Sequence, residues 1–295
     1  MNTKAVWHTI EWGIALVACA YLAWRMATYD DYASLFEALR NMGATQWLAL
    51  FLCVALVPVN MSLEAWRWKT LLPMSWRDAH RQVYYSKLAG LITPWQLGEY
   101  PARGLFMKDR MKEVLSMGVV GSVTMTAAII FAGLVAILCT PSVAALFDTN
   151  YIYVLCAILA ALFVLFLCLP AILRRWVSVN YNLLTVSLLQ SFIRLLCWCV
   201  QLALVLYALG ALDSQLSTLN SQLEDFSQLS TLHSQLFIYF LLLTVTPNVP
   251  VAEVGVRGAW AIWLFGSMNA AFAAVLLWFF NTLIPCLIWF FLRKK

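Results

Sequence analysis

Charged residues are scarce in this sequence. Only 11% of the 295 residues are Asp, Glu, Lys or Arg, whereas a soluble domain has roughly 25%. Hydrophobic residues make up 63%, and the mean hydropathy is +0.81. This composition excludes an ordinary soluble domain and predicts an all-α polytopic membrane protein. The net charge of +5 is explained by basic residues in cytoplasmic loops, so no nucleic-acid partner is expected.

Residues that support catalysis or metal binding are also few and scattered. The three histidines, His8, His80 and His233, have no neighbours at ligand spacing, and the eight cysteines form no C-x-x-C pair. The sequence contains no H-E-x-x-H, G-x-S-x-G or Walker motif. We therefore expect no catalytic residue, no metal and no cofactor, and we do not expect an enzyme.

Long apolar runs predict the membrane spans. A transmembrane helix must cross a hydrocarbon core of about 30 Å, and six runs are long enough: about 9–25, 45–63, 115–139, 151–172, 185–209 and 270–292. Two further regions have short apolar arms on either side of a break, namely 83–92 and 102–107 around 93–101, and 237–245 and 258–265 around 247–255. Such regions predict re-entrant hairpins. The alternative is two kinked full spans, which gives eight helices.

The two breaks carry related sequences. The first reads T-P-W-Q-L-G-E-Y-P-A-R-G from Thr93, and the second reads T-P-N-V-P-V-A-E-V-G-V-R-G from Thr246. Both end in E-x-x-x-R-G, and both contain helix breakers beside charges that are costly in lipid. A duplicated broken segment of this kind is typical of transporters. The predicted hinge residues are Pro94, Gly98, Pro101, Pro247, Pro250 and Gly255.

The order of spans predicts an inverted repeat inside one membrane domain, 1–295. The halves are about 1–140 and 141–295, and each has two spans, a hairpin and one more span, so the hinges face each other near the midplane. Basic residues fit this orientation, because the external loops contain only Arg25 and Arg40. The residues assigned to the cytoplasmic side are Lys4, Arg67, Lys69, Arg77, Arg81, Lys87, Arg103, Lys108, Arg110, Lys112, Arg174, Arg175, Arg293, Lys294 and Lys295.

Charged residues in the breaks and spans are the candidate binding residues. Arg103 and Arg257 are candidates for a lipid phosphate, because a guanidinium keeps its charge and matches phosphate oxygens with two parallel donors. Alternatively, each arginine neutralises the glutamate four residues earlier, Glu99 or Glu253, and holds its own hairpin together. These glutamates are interpreted as structural partners or proton carriers. Arg194 lies in the fifth predicted span, where it is either functional or extends to the membrane surface.

Two other segments have plainer interpretations. The W-R-W-K sequence at Trp66–Lys69, with Trp76 and Arg77, predicts an interfacial belt that anchors the chain at lipid headgroups. Residues 213–236 are predicted to form a low-complexity outer loop, in which S-Q-L-S-T-L-N-S-Q-L at 214–223 recurs nearly unchanged at 227–236. This repeat is either an amphipathic surface helix or a slipped duplication without function.

Three segments resemble the signature regions of a known family. They are R-W-K-T-L-L from Arg67, the first hinge from Ile92 to Leu105, and the second hinge from Thr246 to Ala259. Together they are similar to the lysylphosphatidylglycerol synthase transmembrane family, also called flippase-like, over about Trp47 to Leu292. The chain differs at Trp95, where the family usually has glycine, and at Ala252 and Glu253, where it usually has a glycine pair.

The resemblance implies a multi-pass protein of the bacterial inner membrane, with both termini cytoplasmic. It implies a flippase-like protein that moves or displays a phospholipid or lipid-linked phosphate. In some family members this region is fused to a soluble aminoacyl transferase; we expect this chain to lack that domain, and therefore expect no synthase activity. The alternative is a non-catalytic membrane partner that docks a lipid- or glycan-modifying enzyme. The sequence leaves open whether the chain forms a homo-oligomer.

Overall fold

The computed structural model describes residues 40, 42–91, 98–139, 180–211, 226–246 and 253–293, with scattered positions between 153 and 172. Every regular element in these residues is helical. The eight α-helices of the described part are α1 (Ala44–Leu71), α2 (Trp76–Leu91), α3 (Glu99–Gly104), α4 (Met111–Cys139), α5 (Tyr181–Ala208), α6 (Phe226–Val245), α7 (Glu253–Phe265) and α8 (Met268–Arg293).

Four described helices are long and apolar enough to cross a membrane. They lie at Ala44–Leu71, Lys108–Leu138, Tyr181–Ala208 and Met268–Trp289. The predictions of spans at about 45–63, 115–139, 185–209 and 270–292 are thereby confirmed as apolar helices of spanning length. The predicted span at 9–25 lies outside the described residues, as does most of the one at 151–172.

The outer faces of these helices are apolar and their inner faces hold polar groups. Phe51 on α1 is 68% exposed and Leu189 on α5 is 61% exposed, whereas Glu64 and Arg194 on the same two helices are buried. A soluble protein would place such groups the other way round. This arrangement suits helices surrounded by lipid, and it makes the chain a helical membrane protein.

Local sequence explains where several helices begin and end. Asn180 caps α5 by accepting a hydrogen bond from the backbone N–H of Leu183 at 2.8 Å. At the other end of α5, Gly210 has a φ of 67°, a left-handed conformation that glycine adopts without strain. The backbone N–H of Ala211 then donates to the carbonyl of Leu206 at 2.9 Å, which closes the helix end.

The first half of the described chain has a span, an arm, a short helix and a span, and the second half repeats this order. In the first half these are α1, α2, α3 and α4; in the second they are α5, α6, α7 and α8. The spans α1 and α5 pack against each other along their lengths. The last span of each half packs against the arm of the other half, so that α4 contacts α6 and α8 contacts α2.

The predicted outer loop at 213–236 extends too far at its C-terminal end, because a helix begins within it. Helix α6 begins at Phe226 and includes the whole second copy of the repeat. Leu236 is 4% exposed in the apolar core, and Leu232 packs against that core. The side chain of Gln235 donates to the carbonyl of Leu264 on α7 at 3.1 Å. Contacts with a distant helix thus bury part of this copy of the repeat, although its composition is polar. Residues 212–225 lie outside the described part.

Candidate functional site

Glu64 is the centre of a buried ionic cluster. It lies on α1, is 3% exposed, and is bound through both carboxylate oxygens. Oε1 accepts a hydrogen bond from Nη2 of Arg103 on α3 at 2.9 Å, and Oε2 accepts one from Nη1 of Arg194 on α5 at 2.7 Å. Nη2 of Arg67, one turn along α1, lies 2.6 Å from Oε2. One carboxylate thus joins three helices and faces three guanidinium groups.

Arg67 is fixed in the interior and does not face the membrane surface. It is 4% exposed, and its Nη1 donates to the carbonyl of Gly121 on α4 at 3.1 Å and to Oγ of Ser191 on α5 at 3.0 Å. The prediction that Arg67 anchors the chain at the interface is therefore wrong. Helix α1 continues eight residues beyond its predicted end at 63 and includes both Glu64 and Arg67.

The rest of the predicted interfacial belt is divided between the interior and the surface. Trp68 is buried and donates from its indole Nε1 to Oε1 of Gln82 at 2.9 Å, so its predicted anchoring role is also wrong. Trp66 and Trp76 are exposed, and Nζ of Lys69 lies 4.9 Å from the centre of the Trp76 ring. An aromatic ring beside a cation at the surface is compatible with anchoring at lipid headgroups.

Arg103 is held on several sides and is 1% exposed. Its Nε donates to Oγ of Ser86 on α2 at 3.0 Å, and its Nη2 lies 3.3 Å from Oε2 of Glu99. The guanidinium stacks 4.6 Å from the centre of the Trp68 ring. The predicted pairing of Arg103 with Glu99 is confirmed, but the closer carboxylate oxygen belongs to Glu64. Arg103 therefore connects α3 to α1.

Glu99 connects α3 to α2. Its Oε1 forms an ion pair with Nζ of Lys87 on α2, while its Oε2 faces Arg103. Gly90 permits this approach, because a Cβ at that position would lie 2.6 Å from Cγ of Glu99. Any larger residue would push the Glu99 side chain away. The short helix α3 therefore packs against α2 through the Glu99–Lys87 ion pair, the close approach at Gly90 and the hydrogen bond from Arg103 to Ser86.

A chain of amide hydrogen bonds runs from the cluster across the bundle. Nε of Arg194 donates to Oδ1 of Asn60 at 3.0 Å, and Nδ2 of Asn60 donates to Oδ1 of Asn281 on α8 at 2.8 Å. Nδ2 of Asn281 lies 3.4 Å from Oε1 of Gln201, whose Nε2 donates to the carbonyl of Cys53 at 3.2 Å. Each amide acts as both donor and acceptor, which satisfies buried polar groups that would otherwise be costly.

Arg194 is part of the interior and does not extend to the membrane surface. It is 6% exposed, and its guanidinium lies 4.9 Å from the centre of the Trp198 ring. With Glu64 and Asn60 as its other partners, it is held at the centre of the bundle. The alternative that this arginine reaches the membrane surface is therefore wrong.

A cavity of about 620 Å³ lies beside the cluster. Its volume falls within the roughly 300–1,000 Å³ that is usual for small-molecule sites. Its charged side chains in the described residues are Glu64, Arg67, Lys87, Glu99, Arg194 and Arg257. Its apolar and aromatic side chains include Met125, Ile129, Trp198, Phe240, Leu277 and Trp278. A wall of this kind suits a ligand with an anionic end and an apolar body.

Arg103 and Arg257, which occupy corresponding positions in the two hinge motifs, have different environments in the structure. Arg257 on α7 is half-buried and lies on the cavity wall. Arg103 lies behind the wall, where it binds Glu64 and Glu99, both of which do line the cavity. The side chain of Glu253, with which α7 begins, lies outside the described part.

The predicted hinge residues divide into described and undescribed positions. Gly98 immediately precedes α3, and Pro101 lies in the first turn of that helix, where proline needs no backbone donor. Gly255 is inside α7 and not at its start, because the helix begins two residues earlier at Glu253. Pro94, Pro247 and Pro250 lie outside the described residues.

Sequence reasoning missed Glu64, Lys87, Asn60 and Asn281. The signal for Glu64 was an acidic residue three positions before Arg67, which is the spacing of an intrahelical ion pair. The aromatic neighbours Trp66 and Trp68 favoured an interfacial interpretation instead. Asn60 and Asn281 lie 221 positions apart, and nothing local in the sequence indicates that they meet.

Comparison with known proteins adds no relative: the chain matches no protein-family model, no curated protein and no solved structure. The resemblance to the lysylphosphatidylglycerol synthase transmembrane family therefore stays a prediction.

Proposed function

We propose that this protein is a lipid translocase, flippase-like, that moves or displays a phospholipid or lipid-linked phosphate across the bacterial inner membrane. The observation that carries the proposal is the cavity among apolar helices, whose wall contains both basic and aromatic side chains. A guanidinium in such a site favours phosphate oxygens. Ionisable groups at the centre of a membrane bundle commonly mark a substrate path.

In this proposal, Arg67, Arg194 and Arg257 face the headgroup from three different helices. Arg103 acts from behind the wall by positioning Glu64 and Glu99. The apolar and aromatic side chains of the wall contact the first atoms of the lipid body. These roles place the substrate between the two halves, since Arg67 belongs to the first half and Arg194 and Arg257 belong to the second.

The proposal includes membership of the flippase-like family and an inverted repeat with two re-entrant hairpins. Two observations support the repeat. The order of helices recurs, and the last span of each half packs reciprocally against the arm of the other. Three full spans in each half would then give the halves opposite orientations and both termini a cytoplasmic location.

Movement of lipid by the purified protein tests the translocase proposal. The protein is reconstituted in liposomes that contain a fluorescent phospholipid in both leaflets, and an impermeant reductant quenches the outer leaflet. We expect quenching beyond the outer-leaflet fraction with wild-type protein but not with empty liposomes. Quenching that stops at the outer leaflet for every lipid would contradict the proposal and favour the alternative of a docking partner for another enzyme.

A matched pair of variants connects the movement to the cavity. Arg257→Gln removes a positive charge from the wall, whereas Arg77→Gln removes an exposed charge on α2. We expect the first variant to slow lipid movement and the second to leave it unchanged. Equal rates for the two variants would show that the cavity is not the path.

A further inference from the structure

The charge cluster beside the cavity is unbalanced. Arg67, Arg103 and Arg194 converge on Glu64, and Lys87 and Arg103 converge on Glu99. Within the described part of the chain, this connected set has four positive charges and two negative charges, a formal excess of two. The excess does not depend on Arg257, which also lines the cavity.

Such an excess is costly in a bundle surrounded by lipid. Removing charges from water is unfavourable unless each is neutralised by a partner of opposite sign. All three arginines of the cluster are at most 6% exposed, so bulk water screens them little. The two carboxylates are each shared by two or more cations. The site is therefore arranged to receive further negative charge.

We propose that the lipid bound in this cavity carries a dianionic phosphate, either a phosphomonoester or a diphosphate. The inference deepens the proposed function and rests on it, because it names the substrate class of the same cavity. A phosphomonoester carries about 1.5 to 2 negative charges at neutral pH, which matches the excess. Arg67 and Arg194 then reach its oxygens from the wall, with Lys87 as a third cation.

The same charge balance disfavours other common headgroups. A phosphodiester such as phosphatidylglycerol carries one negative charge and neutralises half of the excess. A zwitterion such as phosphatidylethanolamine neutralises none, and brings an ammonium group into a region that is already positive. Like charges brought together in this way are strongly unfavourable.

Binding to the full-length protein in detergent tests this inference. The probes are phosphatidic acid, phosphatidylglycerol and phosphatidylethanolamine with identical acyl chains, and ligand-induced thermal stabilisation gives their affinities. We expect phosphatidic acid to bind about tenfold more tightly than phosphatidylglycerol, and phosphatidylethanolamine to give no shift. Equal affinities for phosphatidic acid and phosphatidylethanolamine would overturn the inference.

Two further probes identify the source of the phosphate. A polyprenyl phosphate supplies the same headgroup on a different lipid, and tighter binding than phosphatidic acid would assign the site to lipid-linked carriers while supporting the charge argument. Glycerol 3-phosphate supplies the headgroup without a lipid. Binding as tight as that of phosphatidic acid would overturn the assignment to a lipid.

Two variants on α2 distinguish the effect of the cluster's charge on lipid binding from an effect on folding. Lys87→Gln removes one cation of the cluster, while Glu99 keeps Arg103 as a partner; Arg77→Gln on the exposed part of α2 is the matched control. We expect Lys87→Gln to reduce the preference for phosphatidic acid over phosphatidylglycerol, and the control to keep it. An unchanged preference in a folded Lys87→Gln protein would contradict the inference.

Lipid movement, measured in parallel, distinguishes this inference from the proposed function. Movement without preference between phosphatidic acid and phosphatidylethanolamine would overturn the substrate class and leave the translocase proposal intact. Selective binding of phosphatidic acid without movement would contradict the translocase proposal and support the assignment of the ligand.

Discussion

Glu64 and Arg194 meet across the interface between α1 and α5, with Oε2 of the glutamate 2.7 Å from Nη1 of the arginine, although they are 130 positions apart in the chain. Both are almost fully buried. Since α1 begins one half of the described chain and α5 begins the other, this ion pair connects the two halves directly.

Glu64→Gln is expected to destabilise the protein strongly. The amide removes the negative charge that Arg67, Arg103 and Arg194 share, and breaking a buried ion pair by removing one partner costs about 3–5 kcal/mol. Thermal unfolding in detergent measures the loss. The control is Glu113→Gln, whose partner Arg110 lies in a partly exposed pair, and it should change little. A melting temperature equal to that of the control would contradict the central role of Glu64.

Arg103→Lys is expected to destabilise the packing of α3 against α1 and α2. Lysine has no planar fork with which to reach Ser86, Glu64 and Glu99 together, and it is a poor substitute at a bidentate or stacked site. Thermal unfolding and lipid movement are both measured. If Lys keeps full stability and full transport, the contacts of Arg103 are not specific to the guanidinium.

The paired variant Glu99→Gln with Arg103→Gln tests whether these two residues form a closed unit. If Glu99 and Arg103 paired only with each other, replacing both would change the free energy of unfolding little, because no other buried charge would lose its partner. In this protein, however, the double variant also leaves Lys87 without Glu99 as its partner. We therefore expect the double variant to be clearly less stable than the wild-type protein. Adding Lys87→Gln should recover part of the loss, and no recovery would contradict this coupling.

Gly90→Ala is expected to destabilise the protein by about 1–3 kcal/mol, as other overpacked sites do. The new Cβ would lie 2.6 Å from Cγ of Glu99 and disturb its ion pair with Lys87. Gly255→Ala is the matched control, because a Cβ there has no heavy atom within 4 Å and alanine favours a helix. Thermal unfolding of the two variants should therefore shift in different directions; a similar shift in both would contradict the packing argument.

Leu236→Ala is expected to cost about 2–5 kcal/mol, the usual range for a buried leucine. Leu236 lies in the apolar core between α6 and its neighbours, and Leu223 is the equivalent position in the first copy of the repeat. Leu223→Ala is the control, and the sequence places it in the outer loop, so the loss should be much smaller. Equal losses of folded yield would show that both copies need their leucine.

Labelling of single cysteines tests the proposed topology. Cysteines replace Lys112 and Ser214, one at a time, in a background without other cysteines, and an impermeant reagent is added from each side. The distribution of basic residues predicts labelling at 112 only from the cytoplasm and at 214 only from outside. Labelling of both positions from one side would refute the inverted repeat.

Composition and hydropathy were sufficient to predict a helical membrane protein and four of its spans. Each of those helices has an apolar stretch long enough to be recognised without its neighbours. The duplicated hinge motif also predicted the Glu99 and Arg103 contact, because a spacing of four residues on a helix brings two side chains together. These are features that short-range sequence determines.

The cluster itself could not be predicted, since its contacts join distant positions. Arg67 looked like a cytoplasmic or interfacial charge, and only the approach of α4 and α5 makes its position internal. Lys87 and Arg103 were likewise counted with the cytoplasmic charges, although they are partners of Glu99 in the interior. For these three residues, the local sequence gives no sign of the ion pairs that they form inside the bundle.

The reciprocal packing of the two halves has a consequence for the order in which the protein assembles. Helix α2 is synthesised early, yet its partner α8 is the last described helix to leave the ribosome. The first half therefore enters the membrane with one side of its arm uncovered, and close to two hundred residues of chain must follow before that side is covered. Helix α2 packs against α1 and α3 within its own half, so a chain that stops before α8 would insert with the arm docked on one side and with its α8-facing side exposed to lipid.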